Sequence, residues 1–102
     1  MTNREICLKA AQRLREVGWQ QGDFGPTEGP HCMLGACQWA VGWYTGIAAR
    51  SADEDVELEV LAGEAGDAAC HQVDGLLQGA AAWNDEPGRT VEEVIATLEA
   101  CP

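Results

Sequence analysis

The same helix-start signal occurs near both ends of the chain. Thr2 is followed three positions later by Glu5, and Thr90 is followed in the same way by Glu93. In such a capping box the hydroxyl and the carboxylate satisfy backbone N–H groups that would otherwise be left free. Apolar residues at helical spacing come next and predict an amphipathic helix at each end. They are Ile6, Ala10, Leu14 and Val17 in the first segment and Val91, Val94, Ile95 and Leu98 in the last.

The segment 32–50 is apolar on almost every side. A helix without a polar face is usually central and buried, so we expect a buried central helix here. Gly42 and Gly46 stand four positions apart and would let another helix approach one side of it closely. A further helix is expected over 67–83, with an apolar stripe that runs towards Trp83. The stripe consists of Cys70, Val73, Leu77, Ala80 and Ala81.

The acidic segment that follows residue 50 has two interpretations. Apolar residues at positions 56, 58 and 60 alternate with Glu57 and Glu59, which is the periodicity of a strand. A lone strand has no partner elsewhere in this sequence. Because Glu, Leu and Ala favour helix, we favour an acidic helix or helical turn that ends near Gly63 or Gly66, with a short strand near 56–60 as the alternative.

The length of 102 residues fits one domain. We therefore predict that residues 1–102 form a compact all-α domain of four or five helices. Residues 20–31 contain three glycines and two prolines, a composition typical of a loop. Trp19 beside this loop and Phe24 within it are candidate contacts for a partner, although Phe24 is equally suited to pinning the loop to the core.

Negative charge is concentrated in the second half of the chain. The net charge is −11, and residues 51–102 carry thirteen carboxylates against Arg89 alone. Such a field repels nucleic acid and acidic membranes and attracts a basic partner. A solvated face is the commonest role of an acidic run; the alternatives are a docking surface for a basic protein and a mimic of nucleic-acid phosphate. The candidate docking residues are Asp53, Glu54, Asp55, Glu57 and Glu59.

Cysteine usage and the first residues favour a cytoplasmic protein. The five cysteines are odd in number and lack the dense spacing of a disulfide scaffold. The N-terminal segment mixes charged and apolar residues, unlike a signal peptide. No apolar run reaches the roughly 20 residues of a membrane span. We expect reduced thiols, a cytoplasmic location and no membrane association.

One set of residues is compatible with thiol catalysis. Cys32 stands where the central helix should begin, a position that lowers a thiol pKa. His71 and then Asn84 or Asp85 follow in the order of papain-like enzymes, and a nucleophile needs a base oriented by a third group. Such enzymes usually place the histidine on a strand, and strands are scarce here. The alternative is that Cys32 merely starts a helix and His71 lies on the surface.

The spacing of the possible metal ligands is unlike that of a zinc site. Cys32 and Cys37 are five positions apart on one helix and lack the short knuckle of structural zinc sites. Cys70 and His71 are adjacent and would point about 100° apart on a helix, and His31 is the alternative ligand. We therefore predict no metal and no cofactor.

Three segments together resemble a known family. They are Gly18-Trp19-Gln20, Cys32-Met33-Leu34-Gly35-Ala36, and Trp83-Asn84-Asp85 leading to Arg89-Thr90-Val91-Glu92-Glu93-Val94. In these motifs the chain is similar to small proteins from actinobacteria and their phages that have a Cys-x-x-Gly-Ala segment and a C-terminal Trp-Asn-Asp, Arg-Thr pattern. The resemblance implies an origin and a fold family, and it assigns no catalytic role to any residue.

The stretch from Trp83 to Arg89 has a functional and a structural interpretation. Trp and Arg are favoured at interface hot spots, which suggests a recognition surface. The structural interpretation, which we favour, is a corner between helices. In it Trp83 is buried, Asn84 and Asp85 accept hydrogen bonds from backbone donors, and Arg89 pairs with a carboxylate.

Taken together, these features favour a small acidic accessory protein that is not an enzyme. It would bind a protein partner with a basic surface, through its acidic second half, and would not bind nucleic acid directly. The alternatives are a cysteine-dependent hydrolase or transferase that uses Cys32 with His71 and Asp85, and a nucleic-acid mimic.

Overall fold

Helices joined by turns and one long loop make up the part of the chain that the structure describes. This computed structural model describes residues 1–46, 49–74 and 79–102. Within these ranges the extended pairing is limited to an isolated parallel bridge between Trp19 and His31, and no helix is both long and apolar enough to cross a membrane. The all-α prediction is confirmed. The helices are α1 (Asn3–Val17), α2 (Met33–Ala40), α3 (Ala52–Asp74), α4 (Ala80–Asn84) and α5 (Val91–Glu99).

Both predicted capping boxes are present. The Thr2 hydroxyl accepts a hydrogen bond from the Glu5 backbone N–H at 3.1 Å, and the Glu5 carboxylate accepts one from the Thr2 backbone N–H at 3.0 Å. Thr90 and Glu93 exchange the same pair of bonds at 3.2 and 3.3 Å. Each box satisfies two backbone donors that a helix start leaves free, so these short local motifs fix where α1 and α5 begin.

Small residues dominate the core, which lies where α1, α2, α3 and α5 meet. Its largest fully buried apolar side chains are Ile6, Leu14, Met33 and Leu98, Trp83 is 4% exposed, and alanines and cysteines fill most of the remaining space. Because the distance between packed helices depends on the side chains at the contact, such a core allows close approach. The predicted inner faces of α1 and α5 are confirmed, with Val17, Val91 and Ile95 only partly buried at their margins.

The predicted central helix is buried but shorter than expected. Six of the eight residues of α2 are buried, and the helix ends at Ala40. Gly42 and Gly46 follow with φ of +86° and +68°, a left-handed backbone that glycine adopts without steric strain. The two glycines therefore turn the chain rather than notch a helix for a neighbour, and that prediction is wrong. Residues 47 and 48 of the expected helix lie outside the described ranges.

The acidic segment and the helix expected after it form one element. Helix α3 runs without a break through Gly63 and Gly66, so both the strand near 56–60 and the end at these glycines are wrong. Core packing carries the helix past them, because buried residues begin at Ala62. A Cβ on Gly66 would lie 2.8 Å from that of Ala80, which explains the small residue there. The helix expected over 67–83 is thus shared between α3 and α4, and Leu77 lies outside the described residues.

Candidate functional site

Cys32 is positioned as predicted but has the wrong environment for a nucleophile. It is the N-cap of α2, and its sulfur accepts a hydrogen bond from the Gly35 backbone N–H at 3.2 Å. The residue is only 3% exposed. Burial raises the pKa of the thiol, although backbone N–H groups of Gly35 and Leu34 act in the opposite direction. The expectation that the helix start lowers this pKa is therefore wrong, because the loss of hydration outweighs the helix-start effect.

The three residues proposed for thiol catalysis are not joined by the described contacts. Asp85 lies near enough for its charge to add to the rise in the Cys32 pKa. Its carboxylate accepts hydrogen bonds from the Gly22 backbone N–H at 2.9 Å and the Asn84 amide at 3.1 Å. His71 is exposed in the last turn of α3, and among the described residues no hydrogen bond links it to Cys32 or Asp85.

The histidine next to Cys32 is fully engaged in the structure. His31 is buried, and its Nε2 accepts a hydrogen bond from Arg13 Nε at 3.3 Å. Because Arg13 can only donate, the ring proton is assigned to Nδ1, which lies 3.1 Å from the Phe24 carbonyl oxygen. Burial lowers the pKa of His31, and the Arg13 charge adds to this effect. A neutral imidazole with both nitrogens bonded anchors the loop and has no nitrogen free to act as a base.

Tyr44 holds the same turn of the loop. Its hydroxyl donates to the carbonyl oxygens of Phe24 and Gly25 at 3.1 and 3.0 Å, and its ring lies 5.1 Å from that of His31. Burial raises the pKa of Tyr44 to about 12. The Phe24 side chain itself is 42% exposed, so the loop is pinned through its backbone. Nothing in the local sequence signals that Arg13 and Tyr44 would meet His31.

Asn84 connects the loop to two helices. Its side-chain oxygen accepts from Trp19 Nε1 at 2.6 Å and from the Met33 backbone N–H at 2.9 Å. Its amide nitrogen donates to the Gln20 carbonyl at 3.1 Å, besides the bond to Asp85. We call Trp19, Gln20, Met33, Asn84 and Asp85 the Asn84 corner. Trp19, expected as an exposed contact, is partly buried against the core.

The structural interpretation of the Trp83 to Arg89 stretch is confirmed. Trp83 is 4% exposed, and the Arg89 guanidinium lies 3.8 Å from its ring centroid. Arg89 also pairs with Glu93 at 3.1 Å and donates to the Trp83 carbonyl oxygen. A cleft of about 590 Å³ opens beside this cluster, and the charges of Arg89 and Glu93 at its wall satisfy each other. Its described lining is Val73, Trp83, Glu86, Arg89, Glu93, Ala96 and Thr97.

The first half of α3 differs from the rest of the molecule. None of residues 52–61, all of which the structure describes, is buried. Val56, Val60 and Leu61 are 56%, 51% and 37% exposed, and with Glu57 they line a cleft of about 400 Å³. At about 100° per residue, these side chains point away from the buried positions of the helix. We call this surface the α3 outer face, and it consists of Asp53, Val56, Glu57, Val60, Leu61 and Glu64.

Arg50 ties this half-helix to the rest of the fold. Its guanidinium donates to the carbonyl oxygens of Gly42 (3.2 Å), Trp43 (2.7 Å) and Thr45 (2.7 Å). It also pairs with the Asp55 carboxylate at 2.6 Å while its own side chain is 8% exposed. Asp55, one of the candidate docking residues, is therefore already paired with a basic residue of the same chain.

The remaining candidate carboxylates are exposed and lack counter-ions within the described ranges. Among the described residues, no ion pair joins Asp53, Glu54, Glu57 or Glu59 to a basic group. The described residues also contain no group of three or more His, Cys, Asp or Glu that could hold a metal ion. All five cysteines, which lie within the described ranges, are buried, and no two form a disulfide.

Comparison with known proteins adds one finding. The model of a family of unknown function, DUF6197, matches residues 1–101. Comparison with curated proteins finds no match, and neither does comparison with solved structures.

Proposed function

The chain belongs to DUF6197, a family of unknown function, and we propose that it is a protein-binding module that recognises a basic partner through the α3 outer face. It acts without catalysis. The observation that carries the proposal is the exposed apolar group Val56, Val60 and Leu61, set among carboxylates on a half-helix in which none of residues 52–61 is buried.

The core does not contain the two valines, which are about half exposed. Valine is a weaker helix former than alanine or glutamate, and at these positions it does not pack into the core. Single exposed apolar residues are common, but three around one cleft are typical of an interaction surface. Covering such side chains would contribute roughly 25 cal/mol per Å² of apolar surface removed from water.

Charge selects the class of partner. The net charge of −11 makes the chain repel nucleic acid, and the unpaired carboxylates around Val56 and Val60 complement a basic surface. Complementary charge speeds association and suppresses wrong partners. The apolar centre favours a partner with apolar side chains of its own, which a simple mimic of phosphate would not need.

The enzyme alternative lacks support at Cys32. A nucleophilic cysteine needs a thiolate and access to substrate, whereas this thiol is buried and its pKa is raised. Both ring nitrogens of the neighbouring His31 are engaged.

The origin and the location of the protein are part of the proposal. The Cys32 to Ala36 and Trp83 to Val94 motifs support an actinobacterial or actinobacteriophage source. Five buried thiols without a disulfide support a reducing compartment, the cytoplasm.

Differential capture from an actinobacterial lysate tests the proposal. The wild-type chain is compared with the triple variant Asp53→Asn, Glu57→Gln, Glu64→Gln. A control with the same charge change, Glu16→Gln, Glu28→Gln, Glu92→Gln, alters exposed carboxylates elsewhere. We expect wild type and control to retain the same protein at low salt, and the α3 variant to lose it. Equal retention by all three chains, or retention of nothing, would overturn the proposal.

A further inference from the structure

We infer that the partner segment recognised by the α3 outer face is a basic amphipathic helix. This inference rests on the proposed function and specifies its ligand. It follows from the arrangement of apolar and acidic side chains along α3.

The outer face consists of two parallel rows. Residues four positions apart on a helix form ridges, and a groove lies between adjacent ridges. The cleft of about 400 Å³ lies between the two rows, because its lining takes Glu57 and Leu61 from one and Val56 and Val60 from the other. The rows are Asp53, Glu57 and Leu61, and Val56, Val60 and Glu64.

The groove has an apolar middle and acidic ends. Asp53 lies at its N-terminal end and Glu64 at its C-terminal end, the exposed apolar side chains lie between them, and Glu57 lies beside this apolar middle. From Asp53 to Glu64 the helix rises about 17 Å, roughly three turns. The complementary ligand has a short apolar row with Lys or Arg on both sides, whose long side chains can cross the apolar surface to reach the carboxylates.

A helix fits this surface better than an extended peptide does. An extended segment gains affinity by pairing its backbone with the open edge of a sheet. The described part of the chain forms no sheet, and the backbone groups along the middle of α3 are bonded within the helix. Recognition at this face must therefore come from side chains, which is how an amphipathic helix docks into a groove.

A second copy of this chain is disfavoured as the occupant. Pairing two α3 outer faces would bring Asp53, Glu57 and Glu64 of one copy against the same carboxylates of the other. Like charges at close range repel, and the described part of the chain offers no basic residue on this face to relieve the repulsion.

Two peptides of equal composition test the inference on the whole protein. Each has about 14 residues, a length at which a helix is marginal alone. One places Leu at helical spacing (i, i+3, i+4, i+7) with Lys elsewhere, and the other alternates Leu and Lys. We expect the first to bind at least about tenfold more tightly, a difference of about 1.4 kcal/mol, and to gain helicity by circular dichroism when it binds.

Matched variants locate the site. Val56→Gln with Val60→Gln should weaken binding of the helical peptide at least about tenfold. Leu8→Gln with Val73→Gln, which changes exposed apolar residues elsewhere, should leave it unchanged. Equal binding of both peptides, or equal effects of both variant pairs, would overturn the inference. If the inference fails but the lysate capture still depends on the α3 carboxylates, the proposed function survives. If the capture does not depend on them either, the inference and the proposed function both fail.

Discussion

The Asn84 corner and the α3 outer face use polar groups in opposite ways. In the corner, the buried Asn84 side chain makes four hydrogen bonds that join the loop, α2 and the end of α4. On the outer face, Asp53 and Glu57 are exposed and have no counter-ion among the described residues. Groups already bonded within the fold have little capacity left for a ligand, so the corner specifies structure and the face is available for recognition.

Replacing Asn84 tests whether the corner specifies structure, and it has the largest expected effect on the free energy of unfolding. In Asn84→Ala, the Met33 N–H, the Trp19 indole N–H and the Gln20 carbonyl lose a buried partner. Each unsatisfied group destabilises by about 1–3 kcal/mol, so we expect a loss of at least about 3 kcal/mol in the free energy of unfolding, measured with urea. Asn3→Ala, at a partly exposed position in the first turn of α1, is the matched control and should change it by less than about 0.5 kcal/mol. Similar values for the two would refute the role of the corner.

Arg50 tests how the first half of α3, which carries the outer face, is held to the rest of the fold. Lysine keeps the positive charge but cannot reproduce a planar group that bonds three carbonyls and a carboxylate. We expect Arg50→Lys to destabilise the chain by about 1–2 kcal/mol and to speed amide exchange selectively at the start of α3. Arg15→Lys is the control, because Arg15 pairs with Glu99 on the exposed surface and should change stability by less than about 0.5 kcal/mol. Uniform exchange changes along the chain would contradict the local role of Arg50.

Features encoded by neighbouring residues could be predicted from the sequence. The two capping boxes need residues only three positions apart, and the inner faces of α1 and α5 follow from helical spacing. The turn residues of the Trp83 to Arg89 corner likewise carry their own hydrogen-bonding tendency. These signals do not depend on where the rest of the chain lies.

Features that depend on distant contacts could not be predicted. Helix α3 continues through Gly63 and Gly66 because the core stabilises it, overriding a weak local preference. The cap of α2 is shared with Asn84, whose oxygen binds the Met33 N–H across 51 positions of sequence. The thiol of Cys32 is less acidic than its helix position suggests because other elements bury it. In each case packing decided the outcome.

The pH dependence of stability tests the loop anchor beside the corner. Burial lowers the pKa of His31 below its ordinary value of 6.5. The stability that the neutral imidazole contributes to the fold is therefore complete above pH 6.5. As the pH falls below 6.5, the unfolded chain binds the proton first and the free energy of unfolding decreases. The groups that face the ring are Arg13, Tyr44 and the Phe24 carbonyl, and Arg13 would repel the imidazolium.

The measurement is the slope of the free energy of unfolding against pH between about pH 7 and about pH 5.5, where histidine titrates. We expect His31→Gln to flatten the slope, and His71→Gln, at an exposed position, to leave it unchanged. An NMR titration of the wild-type imidazoles provides a second measurement if His31→Gln does not fold. A His31 pKa at or above 6.5, or an unaltered slope in a folded His31→Gln, would contradict the assignment.

Substitutions on the α3 outer face should cause the smallest change in stability. The sign of that change shows whether the valines serve the fold. In Val56→Ala with Val60→Ala, each substitution gains up to about 0.5 kcal/mol of helix propensity. The partial burial that each valine loses offsets some of this gain. We expect unfolding measurements to show a change between zero and an increase of about 1 kcal/mol, while binding of the helical Leu/Lys peptide weakens. A loss of more than about 1 kcal/mol would mean that the valines stabilise the fold. The outer face would then not differ from the Asn84 corner in this respect.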